Sequence, residues 1–242
     1  DASDLRPRGR DREYNGKSET RINLMSMEVT YIDHMGSDLS VVNAARVSFG
    51  KKSDWMPRIH NGEAKVLQHK DDKLIKYLAK HKHISPFGHA FASFHVKAPV
   101  FVARQLVKHK FLRWNEISRR YVDNEPELYE PDEWRGRSAD KKQGSEGIVE
   151  GVTVKEYNKI CINYYQRMIA AGIAPEQVRM VLPQSMMTEW YWSGSLDAFA
   201  DMCNLRCADD TQAETSFVAD AIDEEMEKLF PVAWEALREY AE

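Results

Sequence analysis

The chain has 242 residues, of which 43% are hydrophobic, so it is long enough for one large domain with a substantial core. Its formal net charge of -4 argues against a general nucleic-acid-binding protein, because such proteins need a broadly basic surface. The three cysteines are odd in number and do not form the pattern of a disulfide framework, which favours a reducing compartment, and no apolar run approaches the ~20 residues of a membrane span. Cys203 and Cys207 share a helical face without a further pair of zinc ligands, so no metal site is predicted there. These features predict a soluble, cytoplasmic protein without a membrane or nucleic-acid partner.

The N-terminal region divides into a tail and the start of a folded domain. Residues 1–21 are charged, poor in aliphatic side chains and without periodicity, which predicts a disordered tail ahead of a single domain at 22–242. Alternating apolar residues over 25–32 predict a first strand. Apolar residues at helical spacing, after a cap at Ser37 or Asp38, predict the first helix.

A charged loop, a short helix and a histidine-rich turn follow. Charge, Gly and Pro predict a surface loop at 50–70, and apolar spacing predicts an amphipathic helix at 71–81. The next turn contains His81, His83 and His89 together with Pro and Gly. No carboxylate or further ligand accompanies these histidines at metal-ligand spacing, so structural or hydrogen-bonding roles are favoured over a metal site.

The most unusual stretch of the chain lies at 104–121 and reads RQLVKHKFLRWNEISRRY. A strand is predicted at 91–97, and Pro99 can open the helix that carries this stretch. Cations beside an apolar floor suit a polyanionic ligand with flat rings, such as a nucleotide or a flavin nucleotide. A basic amphipathic helix that packs on its own domain or on a partner subunit explains the pattern equally well. The residues alone leave both interpretations open.

The C-terminal half is predominantly helical. Dense charge with Pro and Gly predicts a long irregular loop or lid at 123–151. A long amphipathic helix that ends at Gly172 comes next, and a strand is predicted at 186–192. A short helix is predicted to begin at Pro175. Three further helices are predicted at 196–206, 212–229 and 232–240. Few strands among many helices indicate an α+β fold, in which helices pack on a small, mostly antiparallel sheet.

The motif at 108–121 resembles the signature of the flavin-dependent thymidylate synthases. That signature is Arg-His-Arg, two further residues, and then Ser-x-Asn-Glu-x-Ser-x-Arg-Tyr, whereas this chain reads KHK, FL and RWNEISRRY. Further stretches resemble the family in the same order: NAARVSF at 43–49, SPFGH at 85–89, FHVKAPVFVARQ at 94–105, VRMVLP at 178–183, and NLR at 204–206 followed by Gln212 and Glu214. The chain therefore resembles a divergent member of this family over residues 24–240.

The resemblance implies an α+β homotetramer with active sites at the subunit interfaces. It also implies FAD as the cofactor, with NADPH and 5,10-methylenetetrahydrofolate as co-substrates. The implied reaction converts dUMP to dTMP, using the folate as carbon donor and NADPH-reduced FAD as the source of hydride. The family needs no cysteine nucleophile, which agrees with the lack of a cysteine-centred motif in this chain.

The resemblance also assigns roles to individual residues. Arg206 matches the residue that sits against the uracil and favours its ionised form, so it is the catalytic candidate. The candidates for dUMP binding are Gln105, Lys108, Glu116, Ser118, Arg119, Arg120, Arg179 and Arg206. The candidates for FAD binding are Ser85, Lys108, His109, Lys110, Asn115, Glu116, Ser195 and Asp201. No metal ligand is among them.

The chain departs from the family pattern on the flavin side. Lys108 and Lys110 replace arginines, which keeps the charge but loses the planar guanidinium fork. Gly88 stands where glutamate is common, and Asp197 and Asp201 add acidic groups near the expected flavin. These departures leave two alternatives to thymidylate synthesis. One is a related flavin-dependent pyrimidine deoxynucleotide hydroxymethylase, and the other is a catalytically silent nucleotide-binding homologue.

Overall fold

The computed structural model describes residues 26–56, 66–139 and 144–241, so the tail predicted at 1–21 lies outside the described residues. The strands are β1 (Glu28–Met35), β2 (Phe91–Pro99), β3 (Leu112–Glu116), β4 (Trp134–Arg137), β5 (Ser145–Val149) and β6 (Met187–Ser195). The α-helices are α1 (Asp38–Arg46), α2 (His69–Lys80), α3 (Val100–Leu106), α4 (Lys155–Ala170), α5 (Pro175–Val178), α6 (Leu196–Arg206), α7 (Ala213–Leu229) and α8 (Pro231–Glu239). Short 3-10 helices cover Val47–Phe49, Ser85–His89 and Arg179–Val181.

A four-stranded sheet in the order β1-β2-β6-β3 forms the centre of the fold, and each pair of neighbours is antiparallel. Strands β4 and β5 pair separately as a two-stranded antiparallel hairpin. The prediction of an α+β fold with a small antiparallel sheet is therefore confirmed. None of the helices within the described residues is both long and apolar enough to cross a membrane.

The sheet buries one face of β2 and β6 beneath α6. Burial alternates along β2, where Phe94 and Val96 are fully buried, as a strand with one covered face requires. Phe94 pairs with Trp192 and Val96 pairs with Trp190 across the two central strands. The ring of Phe199 on α6 meets Phe94 and Trp192 edge-to-face, with centroids 5.3 and 5.5 Å away. This aromatic contact fixes α6 on the sheet.

A glycine allows β3 to join the sheet edge. Gly194 in β6 pairs with Leu112 in β3, and a Cβ atom at position 194 would lie 2.3 Å from a methyl carbon of Leu112. A larger residue at 194 would therefore force the two strands apart. The close approach lets Trp114 in β3 stack on Trp190 in β6, with ring centroids 4.4 Å apart.

A helix does begin directly after Pro99, as predicted, but it does not continue through 104–121. The interpretation of this stretch as a basic amphipathic helix is therefore wrong. Helix α3 ends at Leu106, and a turn leads into β3. Phe111 within this turn has a φ of 63°, which a continuous right-handed helix does not allow. The change of direction places the cations of the turn beside the C-terminal end of α6, as the next subsection shows.

The interpretation of 123–151 as an irregular loop also needs correction, because β4 and β5 lie within it. Their pairing contains a bulge between Arg135 and Gly136. Leu128 forms a bridge to Met186, which attaches the segment before the hairpin to the body of the domain. The hairpin is therefore a fixed part of the described structure.

Asp38 ties the first helix to the last one. Its carboxylate oxygens accept hydrogen bonds from the backbone N–H groups of Val232 (3.1 Å) and Ala233 (2.9 Å) in the first turn of α8. Asp38 is 4% exposed, and burial raises the pKa of its carboxyl group even though these two backbone bonds act in the opposite direction. The aspartate therefore supplies the acceptors that the N-terminus of α8 needs.

Replacing Asp38 with alanine should lower the free energy of unfolding by about 2 kcal/mol, because two buried N–H groups of α8 would lose their acceptor. Urea unfolding followed by circular dichroism measures the change. Asp54→Ala, at an exposed position, is the matched control and should shift the stability by less than about 0.5 kcal/mol. Equal stabilities of the two variants would show that the cap contributes nothing.

Candidate active site

Arg206 is the last residue of α6 and lies at the junction of two cavities. The helix starts from Ser195 at the end of β6, and the N–H of Leu196 donates to the carbonyl of Ala90 at 2.9 Å. Because α6 is fixed at its start and along its aromatic face, its C-terminal end has a defined position relative to the sheet. The helix therefore presents Arg206 at one fixed place beside the turn that follows α3.

The smaller cavity has a volume of about 310 Å³ and a predominantly basic lining. The turn after α3 supplies several of its walls, and the N–H of His109 donates to the carbonyl of Leu106 at 3.1 Å to close that turn. The lining residues are Lys108, His109, Lys110, Phe111, Ala198, Asp201, Leu205 and Arg206. The structure thus brings together five of the residues predicted to bind nucleotide or flavin.

A hydrogen bond joins Arg206 to His109 inside this cavity. The Nε–H of Arg206 donates to Nε2 of His109 at 3.1 Å, so this ring nitrogen must be the unprotonated one. Burial, and then the positive charge of Arg206, lower the pKa of His109 to about 4. His109 is therefore neutral at physiological pH and acts as a hydrogen-bond acceptor for the guanidinium.

Arg206 itself carries a charge that no carboxylate neutralises among the described residues, since it takes part in none of their ion pairs. Burial lowers the pKa of its guanidinium, which nevertheless stays protonated because an arginine starts from a value above ~12. With Nε occupied by His109, the two terminal nitrogens are available to a ligand. A half-buried cation of this kind is suited to stabilising negative charge on a bound molecule.

Asp201 is the acidic member of the smaller cavity. Burial raises the pKa of its carboxyl group, Asp197 one turn earlier raises it further, and Lys82 acts against both. The group is therefore less readily ionised than an exposed aspartic acid. This reduces the repulsion that it would exert on an anionic ligand in the basic cavity.

The larger cavity has a volume of about 680 Å³ and lies on the other side of Arg206. Its walls come from α3, the β4–β5 hairpin, the start of α4 and the α6–α7 connection. Its aromatic and apolar lining consists of Phe101, Tyr129, Pro131, Trp134, Val154 and Tyr157, and its polar lining includes Gln105, Arg135, Asn158, Ser185, Arg206, Thr211, Gln212 and Glu214. A cavity of this size and character accommodates a flat, drug-sized molecule.

An ion pair attaches the hairpin to this cavity. The Nη2 of Arg135 donates to both carboxylate oxygens of Glu214, at 2.7 and 2.8 Å, and Glu214 is 3% exposed. The hydroxyl of Tyr129 lies 3.5 Å from the same carboxylate, and burial together with Glu214 raises the pKa of this tyrosine. Sequence reasoning missed Arg135 because its partner lies far along the chain and its own segment shows no periodicity.

The remaining dUMP candidates lie outside these two cavities. Glu116 accepts hydrogen bonds from the hydroxyl of Thr188 (2.7 Å) and from Nε1 of Trp114 (3.0 Å). Ser118 accepts a hydrogen bond from Nε of Arg120 at 3.1 Å. Neither cavity is lined by Glu116, Ser118, Arg119, Arg120 or Arg179.

Arg119 differs from the other candidates because it is 8% exposed. Its Nη1 donates to the backbone oxygen (2.6 Å) and the side-chain oxygen (3.0 Å) of Asn124. Its guanidinium is therefore engaged with its own chain. Among the flavin candidates, Ser85 begins a 3-10 helix, Asn115 lies on β3 and Ser195 caps α6, and none of these lines either cavity.

Among the described residues, the side chains with metal-ligand spacing are Cys203, Cys207 and Asp223, whose ligand atoms lie within 4.8 Å of one another. Asp223 already accepts hydrogen bonds from Nε1 of Trp234 at 2.9 Å and pairs with Arg238 at 2.9 Å. The carboxylate of this cluster is thus neutralised by a protein cation. The cluster packs α6 against α7 and α8.

Comparison with known proteins places this chain in a family. The model of the thymidylate synthase complementing proteins matches residues 30–232. A flavin-dependent thymidylate synthase of Thermus thermophilus is 37% identical over 216 residues, covering 88% of this chain and 76% of that protein. The enzyme of the same name from Kosmotoga olearia is 36% identical over 225 residues, covering 88% and 90% of the two chains.

A solved structure agrees with these relatives. The UMP/dUMP methylase PolB from Streptomyces cacaoi, bound with 5-Br dUMP, superimposes with a TM-score of 0.71 at 29% identity, covering 88% of this chain and 95% of that one. The same protein bound with 5-Br UMP gives the same TM-score and identity.

These relatives show that the chain is an enzyme of the thymidylate synthase class. More narrowly, the chain belongs to the thymidylate synthase complementing protein family, and the two relatives compared above are flavin-dependent thymidylate synthases. Membership implies FAD as the cofactor, with NADPH and 5,10-methylenetetrahydrofolate as co-substrates. The basic lining of the smaller cavity, with Lys108, Lys110 and Arg206, fits a cofactor that carries a diphosphate.

The imidazole of His109 should stay predominantly neutral between pH 8 and pH 5 when followed by NMR, because its pKa is lowered to about 4. Since this folded-state pKa lies below the unfolded value of about 6.5, the unfolded chain binds the proton more readily between these values. The contribution of His109 to stability is therefore fully present above about pH 6.5 and is lost as the pH falls towards 4.

In Arg206→Met, removal of the neighbouring charge should raise the pKa of His109, although burial keeps it below the value of an exposed histidine. His95, which is paired with Glu189 away from the cavity, provides the internal reference in the same spectra. A His109 resonance that titrates near pH 6.5 in the unaltered protein would contradict the geometry described above.

Proposed function

We propose that this chain is a flavin-dependent thymidylate synthase that methylates dUMP to dTMP. In this proposal 5,10-methylenetetrahydrofolate donates the carbon and NADPH-reduced FAD supplies the hydride. The observation that carries the proposal is the unneutralised guanidinium of Arg206, which lines both cavities and is oriented by neutral His109. A guanidinium that lines two cavities is placed to stabilise charge on a molecule in one of them while it contacts a molecule in the other.

The role of Arg206 follows from its electrostatics. Attack by C5 of uracil on a one-carbon donor is favoured when negative charge develops on the pyrimidine ring, and a fixed cation stabilises that charge. His109 occupies Nε, so the ring would meet the terminal nitrogens of Arg206. Gln105 lies in the same cavity and supplies a side-chain amide to the nucleotide.

The smaller cavity would hold part of the FAD. Lys108 and Lys110 would pair with its phosphates as point charges, and His109 and Asp201 would line the remaining wall. When bound, the reduced cofactor supplies the hydride that completes the methyl group. The protein contributes the orientation of the two ligands, with Arg206 between them.

We further propose that the active site is completed in a homotetramer. Ser118, Arg120 and Arg179, which the family resemblance places on dUMP, do not line the two cavities of their own chain. Large apolar side chains near these residues are exposed, including Tyr121 at 77% and Met180 at 75%. Subunit contacts that cover these side chains would also deliver the cations to the nucleotide bound by another chain.

We place the enzyme in the cytoplasm, with small molecules rather than nucleic acid or membrane as its ligands. Its three cysteines are odd in number and do not form the pattern of a disulfide framework, which favours a reducing compartment. The formal net charge of -4 also favours a locally basic site over a general nucleic-acid-binding surface.

The direct test of the proposed reaction is the mass of the nucleotide formed from dUMP. The protein is incubated anaerobically with FAD, NADPH, dUMP and 5,10-methylenetetrahydrofolate, and the product should gain one methyl group. Arg206→Ala should lower turnover by about 10²-fold or more, since a group that stabilises developing charge would be lost. Arg167→Ala, on the exposed side of α4, serves as the control and should retain turnover within about twofold.

Other products distinguish the alternatives. A hydroxymethyl nucleotide as the product would show that the protein is a hydroxymethylase. Nucleotide binding without turnover would show that it is a catalytically silent homologue. UMP is tested beside dUMP because the solved structures are of a UMP/dUMP methylase. A clear preference for UMP would contradict the proposed deoxynucleotide substrate.

A further inference from the structure

Two glutamines form a polar pair in the larger cavity, and Gln212 has no assigned role. Gln105 comes from α3, Gln212 precedes the first residue of α7, and both line the cavity. The Nε2 of Gln105 donates to Oε1 of Gln212 at 2.5 Å. This bond leaves Oε1 of Gln105 and Nε2 of Gln212 without a hydrogen-bond partner among the described residues.

The pair therefore offers one hydrogen-bond acceptor and one donor next to each other. With the amides in this orientation, the donor lies at Gln212 and the acceptor at Gln105. A lactam edge, in which C=O and N–H are adjacent, is the complementary pattern. The aromatic walls from Phe101, Trp134 and Tyr157 suit the flat ring that carries such an edge.

We propose that the Gln105–Gln212 pair recognises the lactam edge of a planar heterocycle in the larger cavity, which makes Gln212 a specificity-determining residue. The proposal rests on the proposed function, which supplies two rings of this chemistry. One is the uracil of dUMP, and the other is the pteridinone of the reduced folate. Arg206 lines the same cavity and would contact the ring from another side.

The surrounding structure holds Gln212 in place. Its carbonyl accepts hydrogen bonds from the N–H groups of Thr215 and Ser216, both at 2.9 Å, as α7 begins. Glu214, two residues further on, is fixed by the ion pair with Arg135, whose Nε donates to Ser145 at 2.8 Å. The hairpin thus stabilises the start of α7, so the amide of Gln212 is positioned before the ligand binds.

Discrimination between pyrimidines follows from the hydrogen-bond pattern. Uracil presents an oxygen acceptor and an N–H donor on this edge, whereas cytosine presents an amino donor and a nitrogen acceptor. A donor at Gln212 and an acceptor at Gln105 therefore match uracil and oppose cytosine. A site that pairs with such groups rejects an analogue with the wrong pattern because its buried polar groups are left unpaired.

The test uses Gln212→Glu, which keeps an oxygen for Nε2 of Gln105 but removes the free donor. Isothermal titration calorimetry of the FAD-loaded protein measures the Kd for dUMP, dCMP and tetrahydrofolate separately. The Kd for the recognised ring should weaken about tenfold or more. If that ring is uracil, the preference for dUMP over dCMP should fall by about tenfold or more while the Kd for tetrahydrofolate stays unchanged.

If the recognised ring is the pteridinone, the Kd for tetrahydrofolate weakens and that for dUMP does not. Gln212→Met removes the same donor without adding charge, and it should weaken the same Kd. The test therefore does not depend on one variant. Gln177→Glu, exposed on α5, is the matched control and should leave every Kd within about twofold. Melting temperatures confirm that each variant is folded.

Two outcomes overturn the proposal, and they are distinguishable. If the unaltered protein binds dUMP and tetrahydrofolate, and both folded Gln212 variants bind them equally well, Gln212 does not recognise either ring and the proposed function stands. If the unaltered protein binds neither molecule, the proposed function fails together with the inference.

Discussion

The site depends on a half-buried cation held by a neutral partner. A carboxylate paired with this arginine would cancel the charge that an anionic ligand needs. Here Arg206 donates to the unprotonated nitrogen of His109, whose low pKa keeps it neutral. The hydrogen bond orients the guanidinium without neutralising it. The full positive charge therefore remains available at the junction of the two cavities.

The rest of the fold maintains this arrangement. The aromatic layer between the sheet and α6 fixes the helix that ends at Arg206. Gly194 allows β3 to pair closely with β6, and this pairing directs the preceding turn, with His109, towards the helix end. On the opposite side, Arg135 and Glu214 fasten the hairpin over the larger cavity. Three separate parts of the chain thus help to position Arg206 and the cavities that it lines.

Much of this architecture follows from the sequence. The helix at 196–206 was predicted with the bounds that the structure shows. The strands at the centre were also predicted, within one to three residues of their ends, because burial on alternate sides leaves a period of two. The family motifs then identified the residues of the basic cavity.

Other features depend on contacts that periodicity does not record. The cations at 104–121 have nearly helical spacing, yet the left-handed conformation at Phe111 ends any helix there. The hairpin strands are short, and their anchor Arg135 depends on Glu214, which lies 79 residues away. The neutrality of His109 results from burial and from Arg206 in three dimensions. Local sequence patterns contain none of this information.

The central proposal is that Ser118 and Arg120 of one chain complete the site around Arg206 of another, and mixed oligomers test this claim most directly. Arg206→Ala and the double variant Ser118→Ala/Arg120→Ala should each be nearly inactive alone. Co-expressed in equal amounts, they should recover about a quarter of the unaltered activity, because random pairing unites the two intact halves in that share of sites. No recovery in oligomers shown to contain both variants would contradict the claim, because the site would then lie within a single chain.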